Sequence, residues 1–187
     1  EDGGCCQALP SGSIDYWGDI PQAEQRLQLL LCSAKLVHAS FHEHIAALVG
    51  RFNDAQCPQD LGLIGQDLFL PITNSAVAGG RPSAMACAAP LKTLARADEK
   101  VRRFSSRTVP EAHLLDLVRA RVNVLDPYGA FVFFKLLQED SELQLARVCN
   151  KFAEHRGGSD TPAAAASGYK DLVLNVRYRG HVCEVQV

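Results

Sequence analysis

No run in the 187 residues approaches the roughly 18 consecutive apolar residues of a membrane-spanning helix, and the apolar-dominated stretches carry Lys, His or Glu every few positions. A helical membrane span is therefore not expected. Basic residues are not in excess: Lys and Arg number 19 against 21 Asp and Glu, so no polybasic footprint for nucleic acid or an anionic membrane is present. C-x-x-C spacing is missing among the seven cysteines, and an odd number with several inside helix- or strand-like patterns argues against a disulfide scaffold or a zinc site. They are expected to be reduced thiols used mostly as small core residues, in a soluble reducing compartment, with vicinal Cys5-Cys6 two exposed thiols near the terminus. Internal repeats, heptads, a P-loop and G-x-G-x-x-G are all missing, which removes support for the standard nucleotide folds. H-E-x-x-H is not met at His42-Glu43, and His38 and His42, four apart on one helical face, lack an identifiable third ligand. They are read as solvent-facing histidines beside an apolar stripe.

What is present is clearest at the end. Residues 168–187 carry two alternating runs around Arg179-Gly180, the pattern of a β-hairpin. Period-2 geometry puts Leu172, Leu174 and Val176 in one apolar row and Cys183, Val185 and Val187 in another. Asp171, Asn175, Arg177, Glu184 and Gln186 fall on the opposite side. A carboxylate and an amide thus share one face of a sheet whose other face is core.

Earlier in the chain, 1–18 reads as an arm without a period, in which Tyr16-Trp17, holding the single tryptophan, is expected to plug into its own domain or a neighbour. Residues 19–52 form an amphipathic helix, with Leu27, Leu30, Ala34, Val37, Phe41, Ile45, Leu48 and Phe52 at spacings of three and four. Residues 53–89 read as a long irregular loop, and its apolar residues, Leu68 and Phe69 among them, are expected to pack on the domain or form a partner-binding patch. A helix is expected over 90–104, its charges a solvated face, then a strand within 111–126. Asp126-Pro127 caps a short helix over 128–138, a strand follows over 142–149, and an Ala/Gly/Ser-rich loop over 153–168 leads to the hairpin. The class is α+β, a mixed sheet of about four to five strands with helices packed on it. The chain starts at Glu1 and breaks off inside an apparent strand, so a piece of a longer polypeptide is expected.

The order Lys92-Thr93, Asp116-Leu117-Val118-Arg119-Ala120-Arg121, Asn150-Lys151-Phe152, Gly168-Tyr169 and Glu184-Val185-Gln186 resembles the synthetase domain of the RelA/SpoT family, and more closely the divergent RelA/SpoT-like domains of algal and other protist proteins. The likeness covers about 90–187, and the leading helix corresponds to 19–52. That family transfers pyrophosphate from ATP to the ribose 3′-hydroxyl of GDP or GTP. The resemblance implies Asp116 as a Mg²⁺ ligand, Arg121 on phosphate, and Glu184 either sharing the metal or accepting the hydroxyl proton. It further implies Tyr169 stacked on the acceptor purine, Lys92 and Lys151 on the donor phosphates, and Gln186 beside the nucleotide.

Departures from the family pattern are several. Pro90 stands where R-x-K-S has arginine, Asp171 where G-Y-x-S-L-H has serine, and the segment before Tyr169 is almost uncharged. Strict alternation also separates Asp116 from Arg121, so their meeting requires a bulge or a strand that starts after Asp116. Without a ligand, Asp116 would cap the strand start, Tyr169 would be a core aromatic, and Arg119 and Arg121 would pair with Glu184. Two readings follow: a non-catalytic RelA/SpoT-like structural or interaction subunit of a larger protein assembly, or a Mg²⁺- and ATP-dependent nucleotide pyrophosphotransferase. The first needs no cofactor and takes other protein subunits as partners, through Tyr16, Trp17, Leu68 and Phe69. The second takes a purine nucleotide.

Overall fold

The computed structural model describes residues 6–8, 23–55, 57–63, 83–104, 106–151 and 171–187. A single long helix, α1 (Ala23–Asp54), takes up the apolar stripe, and Leu27, Leu30, Ala34, Val37, Phe41, Ile45, Leu48 and Phe52 are all buried. Its 32 residues span about 48 Å, longer than it needs to cross one sheet. Phe41 meets the ring of Tyr178 at 5.6 Å and Phe52 meets Phe133 edge-on at 5.6 Å, tying both halves of α1 to the core.

The sheet contains β1 (Cys6–Ala8), β2 (Ala84–Ala88), β3 (Val118–Val124), β4 (Leu143–Asn150), β5 (Leu172–Tyr178) and β6 (His181–Gln186), in the order β1-β4-β5-β6-β3-β2. Every neighbouring pair is antiparallel except β3 with β6. The terminal hairpin folds as its alternation requires: Leu174 pairs with Val185 and Val176 with Cys183 on the core side, while Asn175 faces Glu184 on the other. Arg179 (φ 46°) and Gly180 (φ 82°) both adopt positive φ, as a tight two-residue turn between right-twisted strands demands. Opposite the polar face, α1 and α3 (Pro127–Glu139) cover the sheet, and α3 starts at the Asp126 cap, whose carboxylate accepts from Gly129 N at 2.7 Å. Helix α2 (Leu94–Arg103) packs on α1 by Ala97, which is fully buried.

Several expectations are corrected. Residues 53–89 are not wholly irregular: they hold a 3₁₀ turn (Pro58–Leu61) and strand β2, which the Asn53 amide anchors to α1 by donating to Ala84 O (2.9 Å) and accepting from Ala84 N (2.8 Å). The mixed sheet is as expected, with the arm adding the short strand β1 at its edge as a sixth. Helix α2 begins at Leu94, after its Thr93 cap, rather than at Pro90. Of Cys32, Cys57, Cys87, Cys149 and Cys183 only Cys183 is buried, so core filling accounts for one of these five thiols. His38 and His42 are half-buried, their rings 4.6 Å apart and His38 Nε2 3.1 Å from Ala89 O, so they join α1 to the end of β2 instead of facing solvent. Burial, helped by His38, pushes the His42 imidazole below its usual range. Tyr16, Trp17, Leu68, Phe69, Tyr169 and the 153–168 loop lie outside the described residues.

Candidate functional site

Strand β3 begins at Val118, two residues after Asp116, and this removes the conflict between Asp116 and Arg121 that strict alternation creates. Beyond β2 the chain keeps following β3, with Ala89 N donating to Arg119 O (3.3 Å) and Lys92 N to Leu117 O (3.2 Å). That brings Lys92 beside Asp116. On α2, Lys100 stands three residues after buried Ala97 and reaches the same carboxylate. Asp116 Oδ2 accepts from Lys92 Nζ at 2.5 Å and lies 2.8 Å from Lys100 Nζ. Its other oxygen, Oδ1, is buried without a partner.

Parallel pairing sets Arg119 beside Glu184 and Arg121 beside Gln186 on the face away from α1. The expected arginine–Glu184 pairs do not form. Instead Gln186 links the row, its Oε1 accepting from Arg121 Nη2 (3.2 Å) and its Nε2 donating to Glu184 Oε1 (2.8 Å). Asn175, buried opposite Glu184, donates to Leu115 O at 3.3 Å and holds the approach to β3 against the sheet. Beside this row lies a cavity of about 300 Å³, lined by Arg119, Arg121, Asn123, Gln186 and the chain from Cys87 to Pro90.

Burial acts on these groups in different directions. Glu184 is pushed up, chiefly by burial and further by nearby Asp116, while Gln186, Lys100 and Arg119 pull it down. Burial also pushes Asp116 up, but the two ammonium groups outweigh it and leave the carboxyl below its usual range. Lys92 goes down despite the same ion pair, because burial, Lys100 and Arg119 together exceed the attraction of one shared carboxylate. The two partners shift unequally because one anion serves two cations. Asp116 is therefore the firmly charged member.

Of the sequence-predicted residues, the structure brings Lys92, Asp116, Arg121, Glu184 and Gln186 to one face. Lys151 is at its margin, near enough to Glu184 to feel its charge, and is engaged elsewhere: Nζ lies 2.9 Å from Asp171, whose attraction raises the ammonium, and Lys151 N donates to Asp171 O at 3.1 Å. This pair closes the base of the β4–β5 connection. Sequence reasoning missed Lys100 and Arg119. The spacing of Lys100 from Ala97 and Val101 is the signal that could have found it, since it places the lysine on the inner side of α2. Among the described residues no group of three or more His, Cys, Asp or Glu could hold a metal ion. Mg²⁺ is often held by one or two carboxylates plus substrate phosphates, so that alone does not decide the fit. What decides it is Asp116, because a dication on its free oxygen would stand beside two ammonium groups. In this arrangement the residues present do not fit the metal.

No protein-family profile and no curated protein matches the sequence. Among solved structures, the chain is similar to the small alarmone synthetase 1 of Bacillus subtilis, determined bound to its product pppGpp, with 15% identity, 87% of this chain and 73% of that one covered, and a TM-score of 0.55. A GTP pyrophosphokinase family protein from Streptococcus pneumoniae aligns over 88% of this chain and 64% of that one, at 15% identity and a TM-score of 0.43. The first likeness shows the fold: the chain has an α+β, RelA/SpoT-like fold.

Proposed function

We propose that this RelA/SpoT-like domain does not transfer pyrophosphate and serves as a structural or interaction subunit of a larger protein assembly. The observation that carries this reading is the double ion pair on Asp116. The carboxylate that the resemblance implies as the metal ligand already has two lysines on one oxygen, and those lysines are cations that a transferring site would spend on phosphate. Supporting it, Leu29 and Leu36, seven residues apart on the outer side of α1, are 52% and 84% exposed, a surface with use in contact with another chain. The test is incubation with radiolabelled ATP, Mg²⁺ and a panel of GDP, GTP and other nucleotide acceptors, with Glu184→Gln as control. The expected result is no transfer above the blank. Transfer that Glu184→Gln abolishes overturns the reading.

A second reading, the ATP:nucleotide 3′-pyrophosphotransferase, is favoured by Glu184. Its burial beside an open cavity raises its proton affinity toward the range of a base that accepts a hydroxyl proton. Under that reading the nucleotide phosphates take Lys92 and Lys100 from Asp116.

A further inference from the structure

The arm strand β1 pairs with β4 in the register Cys6 with Cys149, Gln7 with Val148 and Ala8 with Arg147. Two cysteines therefore stand directly opposite each other in an antiparallel ladder. No other cysteine does so among the described residues: Cys87 is opposite Arg121, and Cys183 is opposite Val118 and Val176. Cα atoms at opposed positions lie about 4.5 to 5.5 Å apart, inside the roughly 4.4 to 6.8 Å that a disulfide bridges. The same row runs on through Val173 and Gln186 to Arg121, which puts the cysteine pair on the polar face, away from α1. Cys149 carries a half-buried thiol, and Lys151, two residues along, lies near enough for the sulfur's charge to help Asp171 raise its ammonium. A neighbouring ammonium favours the thiolate, the form that attacks a disulfide. At the sheet edge β1 has three residues, a short length to be held by backbone pairing alone.

We infer that Cys6 and Cys149 are a redox pair that closes a reversible cross-strand disulfide and so latches the arm strand onto the β4 edge. The oxidant is a small disulfide of the glutathione class. The Cys149 thiolate attacks one of its sulfurs, its S–S bond breaks, and one glutathione leaves as a thiolate that takes up a proton. The Cys6 thiolate then attacks the Cys149 sulfur of the mixed disulfide and expels the second glutathione, which is protonated in turn. Two protein thiols are thereby oxidised and one glutathione disulfide is reduced to two thiols. Reduction reverses the steps and leaves β1 held by its backbone pairing. Cβ atoms directly across a ladder are about 4.5 to 5.5 Å apart, wider than the roughly 3.8 Å of a relaxed disulfide, so the bond is of the strained, readily reduced kind. The pair does not depend on whether the domain transfers pyrophosphate.

The test equilibrates the whole chain in mixtures of oxidised and reduced glutathione, blocks the remaining thiols with iodoacetamide, and maps the tryptic peptides by mass spectrometry. Peptides 1–26 and 148–151 should be found joined, and dithiothreitol should separate them. Peptide 1–26 also holds Cys5, which lies outside the described residues, so variants assign the bond. The linkage is expected to persist in Cys5→Ser and to vanish in Cys6→Ser and Cys149→Ser. Circular dichroism melts accompany each variant; if Cys149→Ser does not fold, Cys6→Ser carries the comparison. In urea at the same glutathione ratio the linkage should fall at least about tenfold, because the ladder no longer holds the two thiols together. Oxidation of the folded chain should also slow hydrogen exchange across residues 6–8 by roughly tenfold or more, read by mass spectrometry. The inference is overturned if Cys149 stays reduced, stops at the glutathione adduct or joins another cysteine. A linkage that survives in Cys6→Ser, forms equally in urea, or leaves the exchange of 6–8 unchanged overturns it as well.

Discussion

His181 opens β6 on the core side and is 1% exposed, its Nδ1 3.1 Å from Ser33 Oγ on α1 and its Nε2 buried without a partner. Burial pushes its pKa down to about 4 from the ordinary 6.5. The fold therefore holds the neutral ring, whereas the unfolded chain takes up the proton near the ordinary value. This stabilisation is complete above about pH 7 and is lost as the pH falls through 6.5 toward 4. One pKa unit corresponds to about 1.4 kcal/mol, so the loss reaches about 2 kcal/mol near pH 5 and about 3 kcal/mol near pH 4. Against a total stability of roughly 5–15 kcal/mol that is a large share. Urea unfolding of the wild type and His181→Gln from about pH 7.5 to pH 4 checks it. The variant carries a constant offset from the altered Ser33 contact, while the wild type should lose about 2 to 3 kcal/mol more over the range. Parallel curves, or an imidazole signal that titrates near 6.5 in the folded protein, refute the assignment.

Two further outcomes follow from the packing. Asp116→Asn leaves Lys92 and Lys100 facing each other without their anion and should cost roughly 2 kcal/mol in urea unfolding, with part of the loss recovered when Lys92→Met is added. Asp126→Ala removes the cap that receives Gly129 N and should cost about 1 kcal/mol, read as a lowered melting temperature at unchanged denaturant slope.

Elements that fold by their own pattern were legible from residues alone. The β5–β6 hairpin alternates on both sides of Arg179-Gly180, and α1 repeats its apolar positions from Leu27 to Phe52, about seven turns, so tertiary packing only had to agree with them. Strand β2 was not legible, because Ala-Met-Ala-Cys-Ala has weak strand preference and no apolar/polar alternation. Its shape comes from pairing with β3 and from the Asn53 amide at its start, both distant in sequence. The site was half legible. Lys92, Asp116, Arg121, Glu184 and Gln186 were found by their order along the chain. Lys100 read as one more charge on a solvated helix, and Arg119 as a partner for Glu184, because register fixes which residues are opposite but not which oxygen is already taken.

Strand β6, last in the described chain, lies in the middle of the sheet between β5 and β3. During synthesis the β2–β3 and β4–β5 pairs can form early, yet each keeps an unpaired inner edge until residues 181–186 emerge and zip them together. The contact between Arg121 and Gln186 closes a separation of 65 positions, a slow step by loop-closure entropy. The pairing of β3 with β6 joins the β2–β3 and β4–β5 pairs into one sheet and sets Arg119, Arg121, Glu184 and Gln186 in one polar row. Without β6 the sheet would be left as two pieces with unpaired edges on β3 and β5, of the kind that templates pairing with another chain.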